Sequence, residues 1–111
     1  MKLQEKYYTY IKEGTKRIEL RLFDEKRSSI ALGDKISFLN VVTSETIVTN
    51  VVGLLRYITF RELFRDFDID ILADKSMEKD EFLDVMNKLY ADQDQEENGV
   101  LGIRIELESE Q

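Results

Sequence analysis

The chain has 111 residues, of which 42% are hydrophobic and 35% are charged, a composition typical of one soluble domain. It contains no cysteine and no histidine, which excludes disulfides, zinc sites of the usual ligand set and catalytic arrangements built on those residues. No apolar stretch approaches the roughly 20 residues of a membrane helix, and the start has no signal-peptide core. We therefore predict one cytoplasmic domain over residues 1–111, without a membrane partner.

The net charge of −7 is distributed unevenly along the chain. Residues 1–65 carry 12 Lys and Arg against 8 Asp and Glu, whereas residues 66–111 carry 4 against 15. One interpretation is an acidic surface that keeps a small protein in solution. The other is a basic site on the first half, framed by acidic surface that weakens binding to long duplexes and favours a small or single-stranded anion.

The first predicted element is an amphipathic helix of about ten residues. Its apolar residues recur at helical spacing: Leu3, Tyr7, Tyr10 and Ile11. Gly14 fits the C-terminal end of this helix, because glycine readily adopts the left-handed conformation found there. Tyr8 lies off the apolar stripe, so we predict that it is the aromatic side chain most free to face a ligand.

The next predicted elements are three strands. One begins near Arg17, and its period of two directs Ile18, Leu20 and Leu22 to the core and Arg17, Glu19 and Arg21 to the other face. After a turn at residues 31–34, further strands are predicted over residues 35–39 and 46–52. The last of these has apolar residues on both faces, which predicts a strand covered on both sides.

The second half is predicted to contain two helices and a final strand. Thr59 and Glu62 fit a capping box, so a short helix should begin there. A longer helix follows Ser76, with an apolar stripe at Phe82, Val85, Met86, Leu89 and Tyr90. We predict an acidic connection over residues 92–97 and a strand over residues 100–107.

Residues 66–71 alternate aspartate with apolar residues, as at the start of an EF-hand calcium loop. The glycine required at the sixth position is Ile71, and the glutamate required at the twelfth is Met77. We therefore predict no metal site there, and instead an extended segment with its apolar side chains turned inward.

A motif in the first third resembles that of the ASCH domain, a small family of the PUA-like superfamily. The motif is Gly-x-Lys-x-x-Glu-x-Arg followed by Gly-Asp, and its residues here are Gly14, Lys16, Glu19, Arg21, Gly33 and Asp34. Tyr8, Ile11, residues 24–27 and residues 98–105 fit the same pattern, so the likeness covers nearly the whole chain. It implies an α+β fold, a PUA-like mixed β pseudobarrel with flanking helices and a cleft between them.

The charged segment around Glu19 is the candidate ligand site. Six cations lie within twenty residues around it: Lys16, Arg17, Arg21, Lys26, Arg27 and Lys35. Arginine suits phosphate or a guanine edge, and glutamate accepts hydrogen bonds from exocyclic amines, so this combination suits a nucleotide. In the family that the chain resembles, the positions of Lys16, Glu19 and Arg21 line the cleft and are taken to contact RNA or a nucleotide-derived ligand.

We therefore predict a domain that binds RNA or a small nucleotide or nucleoside, without a cofactor or metal. The predicted ligand-binding residues are Tyr8, Lys16, Glu19, Arg21, Lys26, Arg27 and Tyr90. Lys16, Lys26 and Arg27 would meet phosphate, Glu19 and Arg21 would read the base, and an aromatic ring would stack on it. The structural alternative is that Glu19 only pairs with Arg17 or Arg21 on an exposed strand.

Three further functions stay open. Some proteins similar to this family are amidohydrolases that act on N4-acetylcytidine, with a lysine and a threonine three residues later. Lys16 matches that lysine, but Glu19 stands at the threonine position and a carboxylate cannot replace the hydroxyl nucleophile. If the chain is an enzyme, Lys16 and Glu19 are its predicted catalytic pair. Other relatives are described as metal-dependent ribonucleases. The spacing of the carboxylates in this sequence does not force a close pair of them into the cleft. The last alternative is a protein-interaction module that uses the acidic face of residues 66–97. The sequence indicates no oligomeric state.

Overall fold

A five-stranded mixed sheet curls into a half-barrel, and the described part of the chain adds five flanking helices. The computed structural model describes residues 1–72 and 75–108. Its elements, in chain order, are β1 (Lys2–Leu3), α1 (Glu5–Glu13), β2 (Ile18–Leu22), β3 (Lys35–Asn40), β4 (Thr46–Tyr57), α2 (Phe60–Asp66), α3 (Ile69–Leu72), α4 (Lys79–Leu89), α5 (Asp92–Asn98) and β5 (Val100–Leu107). The predicted α+β class is confirmed.

The order of the strands leaves two free edges. It is β1-β3-β4-β5-β2, with β1 parallel to β3 and every other pair antiparallel. Long β4 pairs with both β3 and β5, and its register shifts between Val51 and Gly53, a bulge that bends the strand. Because β1 and β2 are the two edges of a curled sheet, the half-barrel is open between them.

The sheet has a hydrophobic core on each face. One core lies between α1 and the sheet and includes Tyr8, Ile11 and Ile103. The other lies between β2 and helices α2 and α4 and includes Leu20, Phe64 and Phe82. Central β5 serves both cores, because successive side chains on a strand point to opposite faces.

Gly102 of β5 allows α2 to approach the sheet closely. A Cβ atom at this position would lie 3.1 Å from Cδ1 of Leu63 and 3.2 Å from Cγ2 of Ile18. Both of those side chains are fully buried, so neither has open space to move into. The missing side chain therefore sets the distance between α2 and β5.

Most predicted elements are found near their predicted positions. Gly14 ends α1 in the left-handed conformation with φ of 86°. The hydroxyl of Thr59 accepts a hydrogen bond from the backbone N–H of Glu62 at 3.4 Å, so the Thr59 half of the predicted capping box is present. Strands β2, β3, β5 and helix α4 lie where the apolar periodicity predicts them.

Four predictions of secondary structure are wrong. Strand β1 is absent from the prediction because two residues show no periodicity. Residues 69–72 and 92–98 form the helices α3 and α5, where we predicted an extended segment and a connection. Strand β4 is longer than predicted and is not covered on both faces, since Val52 is 46% exposed. In the two described ranges, no helix is long and apolar enough to cross a membrane.

Candidate functional site

A first cleft, of about 380 Å³, lies at the opening of the half-barrel between α1, β2 and α4. This volume falls within the usual range for small-molecule sites. Its apolar walls are formed by Leu3, Leu20, Phe82, Val85, Met86 and Leu89, with the rings of Tyr7 and Tyr90. Its polar residues are Lys2, Gln4, Lys16, Glu19 and Arg21, all from the two edge strands and the segments beside them.

Strand β2 directs Glu19 and Arg21 toward the interior of the half-barrel. Glu19 is paired with Ile103 and Arg21 with Leu101 across the β2–β5 ladder. Directly opposed residues point to the same face of a sheet, and Ile103 and Leu101 belong to the core under α1. This explains why a glutamate on an edge strand is only 5% exposed.

Lys16 is almost completely buried, and its ammonium group is surrounded by protein acceptors. Its Nζ donates hydrogen bonds to the backbone oxygens of Ile18, at 2.6 Å, and Leu72, at 2.7 Å. It also lies 3.6 Å from Oε1 of Glu19. Burial lowers the pKa of Lys16, and the negative charge of Glu19 opposes that effect in part. Two of the three ammonium hydrogens are therefore bonded to backbone oxygens, and the carboxylate of Glu19 lies beside the ammonium.

Lys16 and Glu19 together cap the free edge of β2. The backbone N–H of Phe23 donates to the oxygen of Gly99, and the backbone oxygen of Arg17 accepts from the N–H of Ile105. The odd-numbered residues in and beside β2 therefore form the backbone hydrogen bonds to β5. The backbone groups of even-numbered residues therefore point away from the sheet. Of these, the oxygen of Ile18 is bonded by Lys16, and the N–H of Leu20 donates to Oε1 of Glu19 at 3.0 Å.

Arg21 is the half-buried cation at the mouth of the first cleft. Its Nη2 lies 3.4 Å from Oε2 of Glu19, a long contact for a hydrogen bond. Its Nε is buried and has no hydrogen-bond partner in residues 1–72 and 75–108. Buried polar nitrogens are nearly always paired in proteins, so this donor is a notable exception.

Arg21 and Lys2 also line a second cleft, of about 630 Å³, which therefore adjoins the first. The other residues of the second cleft are Met1, Lys26, Arg27, Ile30 and Ile36. Nη1 of Arg27 donates to Oδ2 of Asp24 at 2.9 Å, and the backbone N–H of Arg27 donates to Oδ1 at 3.0 Å. Burial raises the pKa of Asp24, but these bonds outweigh it, so the pKa lies below its usual value.

Six of the seven predicted site residues line the two clefts. Lys16, Glu19, Arg21 and Tyr90 line the first, while Lys26 and Arg27 join Arg21 in the second. The expectation that Tyr8 is free to face a ligand is wrong. Its ring is 2% exposed and packs in the core under α1. Among the described residues, no group of three or more metal-binding side chains lies close enough together to hold an ion.

Two residues of the site were missed in the sequence. Tyr7, rather than Tyr8, is the tyrosine of α1 that lines the first cleft, and its place on the apolar stripe had suggested a core residue. Gln95 is 1% exposed although its neighbours are acidic and exposed. Its Nε2 donates to the oxygen of Tyr90 at 2.8 Å, and its Oε1 accepts from the N–H of Phe60 at 3.0 Å. Gln95 thereby fixes Tyr90 at the wall of the cleft.

Comparison with known proteins shows one family over nearly the whole chain. The family model described as ASCH domain matches residues 1–109. The crystal structure of the hypothetical protein PH0355 is similar, with a TM-score of 0.85 and 33% identity over 97% of this chain and 96% of that chain. The solution NMR structure of protein PF0455 from Pyrococcus furiosus has a TM-score of 0.78 and 31% identity, over 99% and 96% of the two chains. No protein with a curated description matches this sequence.

Proposed function

This chain belongs to the ASCH domain family, which is generally thought to bind RNA, and we propose that it binds single-stranded RNA or an RNA-derived nucleotide in the first cleft. The observation that carries the proposal is the guanidinium of Arg21. Its buried Nε lacks an acceptor in the part of the chain that the structure describes, and the group lies beside the carboxylate of Glu19 in a cleft with mainly apolar walls. A ligand that brings hydrogen-bond acceptors would satisfy this donor.

The chemistry of the first cleft suits a nucleobase. A flat base can lie against the apolar walls and stack on Tyr7 or Tyr90, a contact worth about 1–3 kcal/mol per base. Arg21 then supplies donors and Oε2 of Glu19 an acceptor for the polar edge of the base. In this proposal Lys16 holds Glu19 and the strand edge in place, and it does not contact the ligand.

We do not extend the proposal to hydrolysis. A lysine base needs a neutral amine with its lone pair facing the substrate, whereas the Nζ of Lys16 donates to two backbone oxygens and lies beside a carboxylate. The interaction-module hypothesis has support only from the acidic composition of α3, α4 and α5, which is also typical of a solvated surface.

The experiment is a titration of the protein with single-stranded RNA oligomers, followed by NMR and by fluorescence anisotropy. We expect shifts at Glu19, Arg21 and Tyr90, and an affinity that falls as salt is raised, because phosphate contacts release counterions. Arg21→Ala should weaken binding about tenfold or more, since a hydrogen bond to a charged group is worth about 1.5–3 kcal/mol. Arg21→Lys should restore only part of the affinity, because it lacks the planar fork.

Arg61→Ala is the matched control. Arg61 is an exposed residue of α2 that lines neither cleft, so its loss should change the affinity by no more than about twofold. Absence of RNA and nucleotide binding by the unmodified protein would contradict the proposal. So would an Arg21→Ala variant that binds as tightly as the Arg61→Ala variant.

A further inference from the structure

The second cleft differs from the first in its charge. Among the described residues, four cationic side chains line it, Lys2, Arg21, Lys26 and Arg27, and no carboxylate does. Two acids contact this set from outside the cleft: Asp24 engages Nη1 and the backbone N–H of Arg27, and Oε2 of Glu19 lies 3.4 Å from Nη2 of Arg21. Lys2 and Lys26 are exposed and form no ion pair within the described ranges. The cleft is therefore strongly cationic in a protein whose net charge is −7.

Two buried donors in this cleft lack partners. In the part of the chain that the structure describes, the buried side-chain nitrogen or oxygen atoms without a hydrogen bond are Nε of Arg21 and Nε of Arg27. Both belong to residues that line the second cleft. A polar group that is withdrawn from water and unpaired costs free energy, so such groups mark places where an acceptor is missing. Arg21 and Arg27 each have one such buried nitrogen without an acceptor in the described ranges.

We propose that the second cleft is a phosphate subsite of the binding site, so that the ligand is a phosphorylated nucleotide unit rather than a bare nucleoside. The inference rests on the proposed function. Phosphate oxygens are the acceptors that suit arginine forks and lysine ammonium groups. The base lies in the first cleft, and the phosphate is bound by Lys26 and Arg27 in the second.

Arg21 joins the two subsites. It lines both clefts, so a guanidinium that faces Glu19 and the base in the first cleft also lies beside a phosphate in the second. The two clefts also share Lys2 of strand β1, on the other side of the half-barrel opening. A nucleotide can therefore occupy both clefts at once, with its base in the first and its phosphate in the second.

The test compares each of the four ribonucleosides with its 5′-monophosphate by calorimetry and NMR. We expect the monophosphate to bind about tenfold or more tightly than the nucleoside, the effect of one charge-assisted contact. Lys26→Glu should remove most of that difference. Lys88→Glu is the matched control, because Lys88 is exposed on α4, lines neither cleft and changes the net charge equally.

The outcomes separate the subsite from the proposed function. Equal binding of nucleoside and monophosphate, or a preference that survives Lys26→Glu, overturns the subsite while RNA binding stands. The subsite is also overturned if Lys88→Glu abolishes the preference for the monophosphate, because the net charge of the protein would then explain that preference. Failure of every RNA and nucleotide to bind overturns both. Binding of a dinucleoside monophosphate shows whether the phosphate comes from an RNA chain or from a free nucleotide. Tighter binding than that of the mononucleotide indicates an RNA chain, and weaker binding indicates a free nucleotide. Either result supports the subsite.

Discussion

The ammonium of Lys16 donates a 2.7 Å hydrogen bond to the backbone oxygen of Leu72, and so joins the edge of β2 to the end of α3. A second bond, to Ile18, holds the strand itself. The position that the family motif marks as a ligand contact is thus occupied by a cation whose hydrogens are directed at the protein. Its effect on a ligand is indirect, through Glu19 and the shape of the cleft.

Replacing Lys16 by Met should destabilise the fold by about 3–5 kcal/mol, because it leaves a buried carboxylate without its cation and two backbone oxygens without a donor. Urea unfolding of the variant and the unmodified protein measures this difference. Lys12→Met is the control, since Lys12 forms an exposed ion pair with Glu45 and should lose about 0–1 kcal/mol. Equal stability of the Lys16→Met variant would show that the ammonium does not hold the edge.

Periodicity predicted β2 well but could not predict how deeply its polar face is buried. The alternation from Ile18 to Leu22 correctly separates Glu19 and Arg21 from the core residues. Whether that face meets water depends on the curl of the sheet and on β1, a two-residue strand that pairs Lys2 with Leu39. Such long-range pairing leaves no local pattern, so the sequence does not show how deeply Glu19 is buried.

The error at Tyr8 has a similar cause. The predicted apolar stripe counted Leu3 as helical, whereas Leu3 belongs to β1 and α1 begins at Glu5. With the helix begun later, Tyr8 and Ile11 face the sheet and Tyr7 faces the cleft. The phase of a short helix therefore depends on where the preceding strand ends, which the sequence does not mark.

Gln95 is a buried polar residue in a segment whose composition predicts an exposed connection. Residues 92–98 have no apolar stripe, but one buried glutamine secures them as α5. Gln95→Leu should cost about 2–5 kcal/mol, because Phe60 N–H and the oxygen of Tyr90 would lose their partners. Gln93→Leu, at an exposed position of the same helix, should change the free energy of unfolding by less than about 0.5 kcal/mol. Similar losses in the two variants would contradict the role assigned to Gln95.

Gly102→Ala should destabilise the protein by about 1–3 kcal/mol, the usual range for overpacking. The added methyl group would press on Leu63 and Ile18, both fully buried between α2 and β2. Thermal unfolding of the variant and the unmodified protein measures this difference. A Gly102→Ala variant as stable as the unmodified protein would contradict the close approach of α2.

Acid should weaken the link between Asp24 and Arg27, and the direction follows from the pKa. The hydrogen bonds from Arg27 hold the pKa of Asp24 below its usual value of about 4, so the unfolded chain binds more protons than the folded one in that interval. The stability that this pair contributes is present above about pH 4 and is lost as the pH falls through the folded pKa. Asp24→Asn should abolish that part of the acid dependence, which unfolding measured across the acidic range will detect.

An NMR titration of the Asp24 carboxyl carbon measures the cause directly. The pKa should lie below the usual range in the unmodified protein. It should rise in Arg27→Ala, which removes the side-chain donor and keeps the backbone N–H. Because Arg27 lines the second cleft, this titration also reports whether its guanidinium is held for a ligand. An unshifted pKa, unchanged by Arg27→Ala, would mean that Asp24 does not hold Arg27, and the cleft would then lack the support that orients one of its four cations.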